Sequence, residues 1–321
     1  MGESESRRQD VLDPEVLLAM NLTSTKPNRT RIIQILSYLA FVYAGLGFFN
    51  QNFFHWTRSF WLSGYSEKAV IVVFGVWRVT QEKNGYTRRR IAILVFFIAA
   101  IWILFPFLTG SSFFNHHVIG SFWFFAYLVI IFLFGRRADC SWNCPCVGIR
   151  DTAGDFFRNK TIKGSWLWEL RHLKWIFLVS LVVYLFLYLA YPNSIMTLKY
   201  SRDFMIVNMG IYFASLLVIP WTGNRNYCRY FCPWGSLYGL IGKLGFFKIT
   251  ANTEECIDCD ICEDNCDMGI PIRSLIHEHG EINVADCVGC GRCVQECPAG
   301  ALKLVDVRDA VRSMVTLFKP V

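Results

Sequence analysis

Cys256, Cys259, Cys262 and Cys266 form a C-x2-C-x2-C-x3-C run, and Cys287, Cys290, Cys293 and Cys297 repeat it with Pro298 following. Thiolates two residues apart in a turning chain can grip three corners of an iron–sulfur cube, and the fourth corner must come from elsewhere. Gly289 and Gly291 permit the tight turns and close backbone approach that N–H···S bonds require. Structural zinc uses other pairings, so the tandem spacing predicts two four-iron clusters. So many thiolates kept for metal suit a reducing, cytoplasmic face. His277 and His279 lie between the runs and read as surface residues, because the clusters are complete without them.

The tandem runs resemble the bacterial two-cluster ferredoxin pattern, in which the fourth cysteine of each run serves the other cluster. By that resemblance cluster one takes Cys256, Cys259, Cys262 and Cys297, and cluster two takes Cys287, Cys290, Cys293 and Cys266. Two features depart from it: Asp267 stands where proline usually follows, and the long gap between runs implies an inserted helix or loop.

A second pattern is separate. Cys140-Ser-Trp-Asn-Cys144-Pro145 returns as Cys228-Arg-Tyr-Phe-Cys232-Pro233, each copy just after a long apolar segment. Positions i and i+4 share a helix face, and the proline favours the start of a new helix, so each motif predicts a helix-to-helix turn. Three readings fit: a third metal centre held by Cys140, Cys144, Cys228 and Cys232; two redox-cycling thiol pairs; or buried small residues. The duplication argues against the third. Arg137 and Arg225, three residues upstream of the first cysteine of each copy, would lower the thiol pKa in either functional reading. Cys146, outside the repeat, reads as packing or a spare ligand.

These sites need elements to position them, and composition indicates which. Hydrophobic residues make up 54% and charged residues 18%, against ~25% charged in soluble proteins. Five segments reach the ~17–25 residues of a spanning helix: Ile32–Phe49, Ile91–Leu108, Val118–Phe134, Trp175–Tyr191 and Phe204–Pro220. A sixth run, Ala69–Trp77, spans only if extended back through Glu67 and Lys68, and otherwise lies at the interface. The polar N-terminus shows no signal peptide, and Asp13-Pro14 caps a short helix through Met20.

The connection 136–174 carries eight Lys/Arg, and 109–117 carries none. The positive-inside rule therefore puts 136–174 and the segment after Pro220 in the cytoplasm, with Arg88, Arg89 and Arg90 marking the cytoplasmic end of the next span. Residues 250–306 hold twelve Asp/Glu against three Lys/Arg, whereas 1–249 hold twenty-six Lys/Arg against twelve Asp/Glu. An acidic module over basic loops follows. Aligning Cys140 with Cys228 also aligns Gly135 with Gly223 and Arg137 with Arg225, so one hairpin-plus-motif unit is used twice.

The fold class expected is an α-helical polytopic membrane bundle of five or six spans with a C-terminal α+β ferredoxin-like domain for two [4Fe-4S] clusters. Its parts are 1–87, an N-terminal segment with one or two extra helices; 88–246, a four-helix core; 247–306, the ferredoxin domain; and 307–321, a tail.

Apolar spans, a C-x-x-x-C-P copy after each of two hairpins and a terminal two-cluster segment together resemble the NapH-type membrane-bound polyferredoxin family. Related to it are the C-terminal half of NosR-type proteins and the CcoG-type accessory proteins. The resemblance covers roughly residues 88–306. It implies an electron-transfer subunit of the cell (inner) membrane that connects a quinone pool, or a cytochrome, flavoprotein or iron–sulfur partner, to cytoplasmic-side clusters. An assembly protein that reduces or delivers a metal, and a redox sensor, are the alternative classes. His55, His116 and His117, on outer connections, are weak candidates for a quinol head group, and Asn208 for an interhelical bond. Neither a nucleotide-binding glycine pattern nor a hydrolytic constellation is present, and the basic clusters follow the membrane side rather than a nucleic-acid face.

Overall fold

The computed structural model describes residues 27–311, except 58, 111–116, 136, 192–193 and 310. The expected helix over 13–20, His116, Arg136 and the end of the tail lie outside the described residues.

Helix α1 (Pro27–Phe49) continues through a π-helical stretch, Asn50–Phe54. The buried Asn50 amide then donates to Thr57 O at 2.9 Å and Leu62 O at 2.7 Å, which pins the return of the chain. Next come α2 (Tyr65–Gln81), α3 (Gly85–Phe97), a π-helical stretch Ile98–Leu104 and α4 (Phe105–Thr109). Asn84 caps α3 by accepting from Tyr86 N and Thr87 N. Helix α5 (His117–Phe134) completes the first hairpin.

Three helical stretches among the described residues are long and apolar enough to cross a membrane: Arg31–Phe54, Gly85–Thr109 and Ser165–Ala190. The sixth run lies on helix α2, which packs on its neighbours α1 and α3. Its Glu67 and Lys68 are accommodated because they pair with each other at 3.0 Å and Glu67 also accepts from Tyr212 Oη.

After α5 the chain does not simply turn at the membrane edge. Short helix α6 (Ala138–Trp142) leads to Cys144, and Pro145 opens α7 (Pro145–Asp151). Trp102 Nε1 donates to both the carbonyl and the side chain of Asn143 at 3.2 Å, whereas Asp151 meets Arg90 at 2.6 Å. Arg90 and Trp102 are separated by about 18 Å of helix at ~1.5 Å per residue. The motif therefore runs along α3 into the bundle as far as Trp102 and returns to the level of Arg90. Non-helical backbone is tolerated there because it is enclosed in protein; Asn143 is 2% exposed.

The second unit repeats the plan. Short helix α8 (Ser165–Glu169) precedes α9 (Lys174–Ala190), whose Ile176, Val179 and Phe186 remain exposed at helical spacing, as a lipid-facing stripe should. Helix α10 (Ile195–Leu217) starts well before the expected Phe204, with Lys199, Arg202 and Asp203 in its first turns, and Pro220 belongs to the separate α11 (Ile219–Thr222). Then α12 (Asn226–Tyr230) and α13 (Pro233–Leu244) flank Cys232. Under the Cys140–Cys228 alignment α12 overlays α6, and Pro233 overlays Pro145. Tyr227 Oη donates to Asn208 inside α10, so this copy also reaches into the bundle.

A small α+β domain follows: β1 (Lys248–Ala251), α14 (Ile261–Asp264), α15 (Ile272–His279), β2 (Glu281–Ile282), α16 (Arg292–Gln295) and β3 (Leu302–Val305). The antiparallel sheet has order β2-β1-β3, with Ile249 opposite Ile282 and Leu304. Helix α15 is the insertion that the long gap between cysteine runs implied.

Candidate metal centres

The ferredoxin-like domain holds two separate apolar cavities. Cys256, Cys259, Cys262 and Cys297 line one, and Cys266, Cys287, Cys290 and Cys293 line the other. The fold thus brings together each expected set, with the last cysteine of either run crossing to the other cavity. The crossover goes with the packing of α14, which carries Cys262, against α16, which carries Cys293.

Four thiolates around one tetrahedral ion stand ~3.8 Å apart for metal–sulfur bonds of ~2.3 Å. Among the described residues, the one group of His, Cys, Asp and Glu ligand atoms all within 4.8 Å is Cys256, Asp258 and His277. The cysteine sets are wider than a single ion needs, which fits the larger volume of an iron–sulfur cube. His277 and Asp258 are half-exposed and bond each other at 2.7 Å, so that trio is an edge of the first cavity rather than a separate site.

The donor chemistry fits as well. Burial pushes the Cys262 and Cys266 thiols up to about 12, and raises Cys256 and Cys293. Bare, these thiols stay protonated at neutral pH; cationic iron would supply the charge that ionises them. Ile270 N already donates to Cys266 Sγ at 3.5 Å.

The two C-x-x-x-C-P copies lie within electrostatic reach of each other. Cys140 is buried, and after burial itself the neighbouring Cys144 and Cys232 raise its thiol. Burial likewise pushes Cys232 up to about 12, with Cys228 and Cys144 adding to it, while Gly235 N donates to its sulfur at 3.3 Å. Both copies are thus within electrostatic reach across the repeat. Cys146 hydrogen-bonds Cys144, which with burial raises its own thiol. The expected lowering by arginine is outweighed. Arg137 acts in that direction on Cys140, but burial wins.

The arginines have other partners. Arg225 donates to Asp151 at 2.5 Å, so the second copy is braced to the first through a carboxylate that also holds Arg90. Burial alone would raise Asp151; Arg225, Arg90 and Arg292 hold it down to about 2. Arg137 donates from Nε at 3.1 Å and from Nη2 at 2.8 Å to Ala285 O. Arg90 is therefore an internal ion-pair partner, not a marker at the lipid surface. Asp151 and Asp155 were missed from sequence, although a carboxylate amid so basic a connection was the signal.

The second cavity is docked on this region. Ser141 Oγ donates to Val288 O at 2.9 Å and Tyr86 Oη to Gly289 O at 3.1 Å. Together with Arg137, these engage three carbonyls of the segment 285–289. Lys174 pairs with Asp286, Arg158 with Asp267 at 3.2 Å and Lys163 with Asp264 at 3.6 Å, so acidic module does meet basic connections. Arg292 reverses the sense, reaching Asp155 at 2.6 Å. Arg225 lies within electrostatic reach of both Cys228 and Cys290. The first cavity faces away, with Ile257 exposed at its rim.

A family model described as 4Fe-4S dicluster domain matches residues 255–302, which contain both runs. Another, described as 4Fe-4S binding domain, matches twice, over 117–163 and 206–251, and each match contains one C-x-x-x-C-P copy. The ferredoxin-type protein NapH of Escherichia coli is 28% identical over 53% of this chain and 62% of its own length. The chain is similar to the NapH-type ferredoxin proteins over about half of its length. The match to another Escherichia coli protein, YccM, is 32% identical and covers 54% of this chain, but only about half (52%) of that relative. The regulatory protein NosR of Stutzerimonas stutzeri is 26% identical over 55% of this chain and 25% of its own length. No solved structure matches. The repeat seen in the cysteine spacing is thus also a repeat of one iron–sulfur family model.

Proposed function

We propose that this protein is an electron-transfer subunit that relays single electrons between a membrane redox partner, such as the quinone pool, and clusters on the cytoplasmic side of the cell membrane. Cys287, Cys290, Cys293 and Cys266 would hold one [4Fe-4S] cluster, and Cys256, Cys259, Cys262 and Cys297 the other. Cys140, Cys144, Cys228 and Cys232 would hold a third iron–sulfur centre inside the bundle. Bound clusters supply one-electron storage at potentials set by charge and hydrogen bonds. The observation that carries the reading is the order of the three cysteine sets. One is enclosed in the bundle, the next is docked on it through the Ala285, Val288 and Gly289 carbonyls, and the last faces outward.

The chain's own residues do the positioning. Arg225 spans the region between Cys228 and Cys290, and its positive charge offsets the negative charge of thiolate-ligated clusters on either side. Lys174 and Arg158 clamp Asp286 and Asp267, next to Cys287 and Cys266, which fixes the distance across the module boundary. Cys140 and Cys228 of the inner set are buried, which limits the access of water to them.

Iron and sulfide analysis with EPR of the reduced protein tests this. About twelve irons are expected with all three sets filled, each cluster holding about four. About eight would leave the C-x-x-x-C-P cysteines outside the relay, and fewer would overturn the two-cluster reading.

A further inference from the structure

Glu67 is a carboxylate inside the bundle that electron relay alone does not use. It stands on α2, and Arg78, three turns further along the same helix, pairs with Asp155 at 2.9 Å on the ferredoxin side. The separation is about 16 Å of helix, close to half a hydrocarbon core. Glu67 is 5% exposed. Ionisable groups at such depth are costly to keep and mark proton or ion pathways.

Its surroundings lead to the inner cysteines. One carboxylate oxygen accepts from Tyr212 Oη on α10, and the other meets Lys68 Nζ at 3.0 Å. Across from it on α7 stands the Cys146 thiol, within electrostatic reach of both Glu67 and Tyr212 and hydrogen-bonded to Cys144. Arg150, also on α7, lies 5.6 Å from the Tyr212 ring and 5.8 Å from the Tyr227 ring. Tyr227 precedes Cys228 and stacks edge-on against Tyr212, with centroids 5.3 Å apart. Glu67 thus faces Lys68, Tyr212 and Cys146, with Arg150 behind Tyr212. It is the acidic member of a buried polar chain that ends at the C-x-x-x-C-P cysteines.

We propose that Glu67 is the proton acceptor of a proton-coupled redox site, taking up one proton for each electron that enters the centre held by Cys140, Cys144, Cys228 and Cys232. The proposal rests on that centre being present. With the clusters bound, the ferredoxin-domain cysteine sets would supply the electron and the inner set would receive it. Glu67 would then take a proton from hydronium, one O–H bond breaking in the donor as one forms on the carboxylate, and oxidation would return both particles. The cause is Coulombic: an added negative charge nearby, in a low-dielectric bundle, raises the carboxylate's proton affinity. Lys68 and Tyr212 position the carboxylate.

Redox titration of the purified full-length protein, followed by EPR at several pH values, tests this. The inner centre's midpoint potential should fall tenfold in equilibrium terms per pH unit, or ~59 mV for a one-electron couple. The ferredoxin-domain clusters provide an internal control without that slope. Redox-difference infrared spectra should show a carboxylic-acid band on reduction. Glu67→Gln keeps an acceptor for Tyr212 and should lose both the slope and the band while retaining the iron. A pH-independent inner potential in the unaltered protein, or a slope that survives in Glu67→Gln, overturns the proposal and leaves the third centre standing. Absence of a third EPR species overturns both.

Discussion

The ferredoxin-like domain and the C-x-x-x-C-P pair gather cysteines by opposite means. In the domain, three ligands of each set come from one turning loop, with Gly289 and Gly291 at φ of 67° and 74° and Asp258 and Asp260 at 53° and 58°. In the bundle, Cys144 and Cys232 each stand at the start of a proline-opened helix, both with φ of −74°. Their approach depends on contacts between segments a long way apart in sequence, such as α13 against α5 and Arg225 on Asp151. A loop-built site is local and tolerant of its surroundings. A site built from re-entrant helices is only as stable as the brace between the repeats.

That contrast can be broken most severely at the brace. Asp151→Asn would strand Arg90 and Arg225, both at most 3% exposed, and losing one partner of such a buried network costs ~3–5 kcal/mol. The expected outcome is collapse of the bundle in detergent at much lower temperature, with the isolated domain's iron signal outlasting it. Thermal unfolding followed by absorbance and near-UV circular dichroism would show the split, and a single unchanged transition would refute it. The same pair gives a pH dependence. The Asp151 carboxyl is lowered from 3.8 to about 2 on folding, so its stabilisation is fully present above about pH 4 and is lost as pH falls towards 2.

Paired serine substitutions sharpen the comparison at intermediate strength. Cys293→Ser should remove the cluster nearest the bundle, whereas Cys140→Ser with Cys228→Ser should remove only the inner centre and leave the domain's EPR signals intact. Equal iron losses with altered domain signals in both proteins would mean that the sites are not independent.

The smallest effects belong to the boundary between the regions. Ser141→Ala deletes one bond to Val288 O, worth ~1 kcal/mol, and should mildly increase hydrogen exchange in the Cys287–Cys290 loop. Lys163→Ala removes a half-exposed pair worth at most ~1 kcal/mol, and any change should vanish at high salt. A large effect of Lys163 would mean that surface charge, rather than the buried contacts of Arg137 and Lys174, holds the domain in place.

What could be read in advance follows the same division. The cysteine runs, the duplication at Arg137/Arg225 and Pro145/Pro233, the helical spans and the meeting of acidic and basic modules are all properties of local spacing, periodicity and charge, which one sequence carries by itself. The run Ala69–Trp77 was ambiguous because Glu67 and Lys68 count as charges until a partner is known. Tertiary structure decided that partner, Tyr212, since a long-range contact has no local signature. It also decided that the motifs enter the bundle, which depends on Trp102 meeting Asn143 and Arg90 meeting Asp151. Periodicity fixes which face of a helix is apolar. Only packing fixes what that face encloses, and here it turned a carboxylate that looked out of place and two cysteine pairs into neighbours.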